Sequence, residues 1–107
     1  MLFSIITATY NSQDFLQYAL DSYAKQTHLE KELIIIDGKS NDATEVIINQ
    51  YKKDINQFVS EKDKGIYDAL NKGIQLTKGE VIGILHSDDF YAHPQVLEKV
   101  MALFSMD

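Results

Sequence analysis

The segment Gly83-Ile84-Leu85-His86-Ser87-Asp88-Asp89-Phe90 reads as a buried strand that runs directly into two adjacent carboxylates. An apolar strand needs no acid at its end, so the pair points to a ligand. Like charges about 4 Å apart cost roughly 4 kcal/mol at intermediate dielectric. A hard divalent cation removes that cost, and one that holds a diphosphate takes carboxylate oxygens one or two at a time. The competing explanation is a helix-entry turn, where acids are favourable beside the helix N-terminus. Two aspartates in a row are a weak motif alone, so their weight depends on the elements that position them.

Those elements alternate. Residues 2–8 predict a strand, and residues 13–26 carry Phe15, Leu16, Ala19, Leu20 and Tyr23 at helical spacing. Asn11 or Ser12 is placed to cap that helix. Residues 32–37 form a second strand, whose consecutive Leu33-Ile34-Ile35-Ile36 implies burial on both faces, as in a parallel sheet. Asn41 or Asp42 opens a second helix, with Glu45 completing a capping box and Val46, Ile47 and Tyr51 expected inward. Residues 57–61 make a weaker third strand. Residues 66–77 make a third helix with Ile66, Ala69, Leu70, Gly73 and Ile74 inward, ended by Gly79 as a left-handed cap. The fourth strand covers residues 80–86. Pro94 is expected as the first residue of a last helix that turns Val96, Leu97, Val100, Met101 and Phe104 to the core. The order βαβαβαβα implies a Rossmann-like α/β fold: a mostly parallel sheet with helices on both faces.

In open parallel sheets, ligands bind beyond the carboxyl ends of the strands. Four polar corners meet at that edge: Thr7-Ala8-Thr9-Tyr10-Asn11, Asp37-Gly38-Lys39-Ser40-Asn41-Asp42, Glu61-Lys62-Asp63-Lys64-Gly65 and Ser87-Asp88-Asp89. Three of them carry acid. Asp42 suits a helix cap. Asp37 follows three isoleucines and precedes a glycine that lets a ligand approach the backbone. Tyr10 stands in a strand-to-helix turn, where it can be a core aromatic or a stacking platform. His86 sits at the mouth of the same edge, and no two histidines have metal-ligand spacing.

Composition narrows the classes. The chain has 107 residues, enough for one domain; 45% are hydrophobic and 24% charged, as in an ordered globular protein. It has no cysteine, hence neither disulfides nor a cysteine metal site. The net charge is −6, and all ten basic residues are scattered lysines, which argues against nucleic acid as a partner. Without arginine, any diphosphate must be neutralised by lysine, backbone N–H or a metal. No signal peptide or membrane-length apolar run is read, so the expected location is the cytoplasm or the inner face of the cytoplasmic membrane. No G-x-G-x-x-G follows the first strand, which removes a dinucleotide cofactor.

Taken in order, the corners resemble the nucleotide-binding half of family 2 glycosyltransferases of the GT-A type. The residues that carry the likeness are 3–11 with their Tyr-Asn turn, Ser22-x-x-x-Gln26-Thr27, Asp37-x-x-Ser40-x-Asp42-x-Thr44, residues 60–73 reading S-E-x-D-x-G-I-Y-D-A-x-N-K-G, and Gly79-Glu80 followed by Ser87-Asp88-Asp89 in the place of the D-x-D-type metal motif. The fourth of these is similar to bacterial polysaccharide-assembly members.

The resemblance implies one nucleotide-sugar-binding domain over residues 1–107. Thr7, Ala8, Thr9, Tyr10, Asp37, Asp63, Asp68, Lys72 and Asp88 would contact the nucleotide sugar. Ala8 and Tyr10 would meet base and ribose, and Asp37 would accept a hydrogen bond from the base imide. Asp89, with Asp88, would ligate Mg²⁺ or Mn²⁺ bridging the diphosphate. Leu70 stands where many relatives have arginine, and Lys64 or Lys72 is the expected substitute. A UDP-sugar donor, a glycan or lipid-linked acceptor, inversion at the anomeric carbon and cell-surface polysaccharide or lipopolysaccharide assembly follow by the same route. The catalytic base is expected beyond residue 107, in an acceptor-binding half. The chain would then be an N-terminal portion, inactive or nearly so alone, with a homodimer through the surface left exposed. Two other readings are a non-catalytic nucleotide-binding module and a phospho-receiver domain. The latter lacks its acidic cluster, since the first strand ends in Thr7-Ala8-Thr9-Tyr10.

Overall fold

The computed structural model describes residues 1–104. Strands β1 (Phe3–Thr9), β2 (Lys31–Asp37), β3 (Gln57–Ser60) and β4 (Val81–Ile84) alternate with helices α1 (Leu16–Ala24), α2 (Thr44–Gln50), α3 (Ile66–Leu76) and α4 (Val96–Phe104). A single 3₁₀ turn, Lys52–Asp54, leads into β3. All strands are parallel in the order β3-β2-β1-β4. The fold is therefore the α/β arrangement expected from the alternation. Because the order reverses beside β1, the loops after β1 and β4 diverge to opposite faces and leave a crevice at their ends.

Strand alternation divides the core. Phe3, Ile5, Leu33 and Ile35 pack with Leu16, Ala19, Leu20 and Tyr23 of α1, Ile48 of α2 and Leu97 and Met101 of α4. On the other face Ile34 and Ile36 meet Ala69 of α3. Gly73 lets α3 lie directly on β1, because a Cβ there would stand 2.5 Å from Ile6 Cγ2. At the foot of the sheet, buried Glu32 accepts hydrogen bonds from Ser4 Oγ (2.5 Å) and Lys78 N–H (2.7 Å), while Gly79 N–H donates to Ser4 Oγ (2.8 Å). This network ties the α3–β4 connection to β1 and β2.

Several local expectations change. Phe15, at the N-cap of α1, is exposed. Val46 is exposed and Ile48 buried instead, because α2 begins at Thr44 and turns Thr44 and Ile48 inward together. Ile66 and Ile74 are half-exposed, since the close approach of α3 admits only Ala69 and Gly73 at the contact. Gly79 is no left-handed cap. Helix α3 ends at Thr77 in extended backbone, and Gly79 is needed because a Cβ would meet Leu2 O at 2.5 Å. Neither Asn11 nor Ser12 caps α1 through its side chain. Pro94 lies in the turn before α4, and Phe104 is exposed. Among the described residues no helix is long and apolar enough to cross a membrane.

Candidate functional site

The carboxyl ends of the strands are built from turns that helices and strands do not use. Among the described residues, positive φ occurs at Asn11 (46°), Lys39 (68°) and Gly65 (115°), one in each loop after β1, β2 and β3. Gly65, with ψ −176°, occupies a region open essentially to glycine. The loops after β1 and β2 are laced together. Asn11 N–H donates to Ser40 Oγ (2.9 Å), Asn41 N–H to Asn11 Oδ1 (3.0 Å) and Ser12 N–H to Thr44 Oγ1 (2.7 Å). Asp42 accepts the Thr44 N–H (2.9 Å) and the Thr44 hydroxyl just before α2, but the N-cap position is Ala43 and the helix has no side-chain cap.

Asp37 is the centre of this lacework. It is 1% exposed. Its Oδ1 accepts Thr9 Oγ1 (2.7 Å) and Ser40 Oγ (2.6 Å), and its Oδ2 accepts Ser40 N–H (2.9 Å) and Ser60 Oγ (2.9 Å). A carboxylate has about four lone-pair sites, and all are used. Burial pushes its pKa up, but the bonds from Ser40, Thr9 and Ser60 outweigh burial and hold it below the usual aspartate value. Asp37 does not line the cavities of about 650 and 430 Å³ beside it. It folds the turn that carries Gly38 and Lys39.

A cavity of about 650 Å³ is lined by Ala8 and Thr9 at the end of β1, Tyr10 just after it, Gly38 and Lys39 after β2, and Lys62, Asp63 and Gly65 after β3. That volume suits a small-molecule ligand. Tyr10 is 64% exposed, with its ring available for stacking. Asp63 accepts the Gly65 N–H (3.0 Å) and sits so near Gly38 that a Cβ there would lie 2.9 Å from its Oδ2. A second cavity of about 430 Å³ holds Asp88, His86, Asp14 and Asn11. The two share Ala8, Ser12, Ile66 and Ser87, so they form one cleft.

The expected residues divide accordingly. Ala8, Thr9, Tyr10 and Asp63 line the first part of the cleft and Asp88 the second. Thr7 is fully buried, lines neither part, and its Oγ1 has no hydrogen-bond partner among the described residues. Asp68 accepts the Lys64 N–H (2.9 Å), the main cause of its lowered pKa. Lys72 pairs with Glu61 (3.0 Å) and Asp68 (3.5 Å), and neither it nor Lys64 lines the cleft. The lysines at the cavity are Lys39 and Lys62. Lys39 follows the Asp37-Gly38 turn, a signal visible in the sequence but not used above.

Asp88 and Asp89 are both exposed at the end of β4. Asp89 N–H donates to His86 O (3.1 Å), and its Oδ1 accepts Phe90 N–H (2.8 Å), which closes a tight turn. Among the described residues no group of three or more His, Asp or Glu side chains converges on a common point. The donor set is therefore one or two carboxylates, which fits a hard cation whose remaining positions go to phosphate and water.

Comparison with known proteins agrees with this geometry. The sequence profile of glycosyl transferase family 2 matches residues 4–107. A PGL/p-HBAD biosynthesis glycosyltransferase of Mycobacterium bovis is 36% identical over 104 residues, covering 94% of this chain and 41% of the relative. The putative teichuronic acid biosynthesis glycosyltransferase TuaG of Bacillus subtilis is 35% identical over 91 residues, covering 82% and 36%. This chain thus spans less than half the length of these relatives. Residues 1–349 of S. aureus TarS, solved with UDP-GlcNAc, superpose with a TM-score of 0.90 at 28% identity, over 98% of this chain and 31% of that one. The fold is also that of a Pyrobaculum calidifontis mannosyltransferase solved with GDP-Man and Mn²⁺, with a TM-score of 0.84 at 23% identity, over 92% and 31%.

Proposed function

This chain belongs to glycosyl transferase family 2, and on that premise we propose that residues 1–107 are the donor-binding domain of a nucleotide-sugar-dependent glycosyltransferase. The observation that carries the reading is the continuous cleft at the carboxyl ends of the strands, with Tyr10 and Asp63 in one part and Asp88 in the next. The nucleoside takes the larger part. Tyr10 stacks on the base, since an exposed ring offers a face to any nucleobase, and Asp63 offers the nearest carboxylate. Asp37 acts through the Gly38-Lys39 turn that it folds. Lys39 and Lys62 screen phosphate charge. Asp68 and Lys72 hold the start of α3 in place.

Asp88 and Asp89 hold Mg²⁺ or Mn²⁺ against the diphosphate. When bound, the cation acts as a Lewis acid for the departing nucleoside diphosphate. A UDP-sugar is the favoured donor, in keeping with the TarS complex. The acceptor is a glycan or lipid-linked sugar in cell-surface polysaccharide assembly, in keeping with the teichuronic acid relative. No residue of the cleft is assigned as an acceptor contact or as the base for inverting attack. The domain works in the cytoplasm or at the inner face of the membrane. Self-association uses the open edge of β4, where Ile82 and Ile84 are half-exposed.

Calorimetric titration of UDP in Mn²⁺ tests the reading. Wild type is expected to bind more tightly with Mn²⁺ than with chelator, and Asp89→Ala is expected to lose that gain. An unchanged gain in Asp89→Ala overturns the metal assignment.

A further inference from the structure

The loop that carries Asp88 and Asp89 is exposed, yet it is held at both ends. Upstream, Leu85 N–H donates to Ile6 O (3.0 Å), the last bond between β4 and β1. Downstream, the partner is α1, not the sheet. Tyr91 N–H donates to Ser22 Oγ (3.0 Å), two residues beyond Asp89. Gln26 then grips the rest of the segment. Its Nε2 donates to His93 O (2.8 Å) and to Ser22 O (3.3 Å), and its Oε1 accepts the Leu97 N–H at the start of α4 (3.0 Å). Thr27 adds its N–H to Pro94 O (2.8 Å) and its hydroxyl to Glu98 Oε2 (2.6 Å).

Gln26 is 4% exposed, and both ends of its amide are used. A buried amide makes three bonds at once only where the surroundings are fixed, because an unmet partner costs about 1–3 kcal/mol. These bonds join residues 67–71 positions apart in sequence. Gln26 also satisfies an N–H of the first turn of α4, which would otherwise need a partner of its own. The residues involved are the Ser22-x-x-x-Gln26-Thr27 motif, and nothing in the nucleotide cleft accounts for them: they line neither of its two parts.

We propose that Ser22, Gln26 and Thr27 are positioning residues for the cation. They clamp the segment from Tyr91 to Leu97 and so fix the turn that carries Asp88, which lines the cleft, and Asp89 beside it. The clamp reaches the nucleoside part of the cleft only through Ser87, because the rest of that part is built by β1, α3 and the loops after β1, β2 and β3. The inference rests on the reading of Asp88 and Asp89 as the metal carboxylates.

Its test separates metal-dependent from metal-independent binding. UDP is titrated into wild type, Ser22→Ala, Ser22→Thr and Gln26→Met, each with Mn²⁺ and with chelator, and folding is followed by circular dichroism. Gln26→Met keeps the length of the side chain and removes all three bonds. It is expected to lower the Mn²⁺-dependent gain about tenfold, as removal of outer partners does at metal sites, with metal-free affinity within about twofold of wild type. Ser22→Ala is expected to lower the gain several-fold, and Ser22→Thr, which keeps the hydroxyl, to restore it. If Gln26→Met fails to fold, the Ser22 pair decides, since it removes only one loop bond. A Mn²⁺-dependent gain equal to wild type in the folded variants overturns the clamp, and so does an equal loss with and without metal. If wild type itself shows no gain, the metal reading fails and the clamp falls with it.

Discussion

Replacing Asp37 with asparagine probes the keystone of the loop lacework without removing a single heavy atom. The asparagine oxygen can keep Ser40 N–H and Ser60 Oγ, the two donors now on Oδ2, at 2.9 Å each. Its NH₂ then faces Thr9 Oγ1 and Ser40 Oγ, which now donate to Oδ1 at 2.7 and 2.6 Å. Both are hydroxyls, so they can rotate and accept instead. No bond need be orphaned. What is lost is the charge assistance, roughly 1 kcal/mol per bond between a charged and a neutral acceptor. Part of that is offset because the asparagine buries no charge. The net expected cost is about 2 kcal/mol at pH 7. In urea this moves the midpoint down by on the order of 1 M for a domain of this size.

The pH dependence gives the reasoning a second handle. The folded pKa of Asp37 is lowered, so its contribution is complete above the ordinary aspartate value of about 3.9. It fades as pH falls through the lowered folded value. The gap between wild type and Asp37→Asn is therefore expected to be constant from pH 7 to about 5 and to narrow toward pH 3. Urea melts of both proteins at these pH values measure it. An Asp37→Asn variant as stable as wild type at pH 7, or a gap that does not narrow in acid, refutes the assignment of Asp37 as a buried, fully bonded carboxylate.

Thr7→Val removes a buried hydroxyl that has no partner among the described residues. It is expected to leave stability unchanged or raise it by about 1 kcal/mol, with UDP affinity unchanged by calorimetry; a loss of affinity would put Thr7 in the site. Self-association through β4 predicts a dimer by light scattering at high concentration and a monomer for Ile84→Lys, because a charge beside an open edge discourages strand pairing. A monomeric wild type at high concentration ends that proposal.

Much of the fold was legible because its signals are local. Leu33-Ile34-Ile35-Ile36 suggested a strand covered on both sides, and all four are buried. The elements appear within a few residues of their expected places. Errors came where a helix met the sheet. Ile66 and Ile74 are apolar at the right spacing, yet the contact is made by Ala69 and Gly73, because inter-element distance is set by the smallest side chains between the backbones. Gly79 looked like a cap by its place after a helix, but its cause is the Leu2 carbonyl pressed against it.

The order of the polar corners, the parallel sheet and the acids at its carboxyl edge followed from the sequence alone, because strand periodicity and parallel connection place those corners together whatever the side chains do. How those groups are engaged within the fold was decided by tertiary structure. Asp37 is consumed by Thr9, Ser40 and Ser60, and Lys72 by Glu61, while Lys39, Lys62 and Asp63 line the cleft. Those choices depend on left-handed turns at Asn11, Lys39 and Gly65 and on bonds such as Thr9 to Asp37 and Asn41 to Asn11, 28 and 30 residues apart. A hydrogen bond is directional and short, so its partners are settled only once separate strands lie side by side.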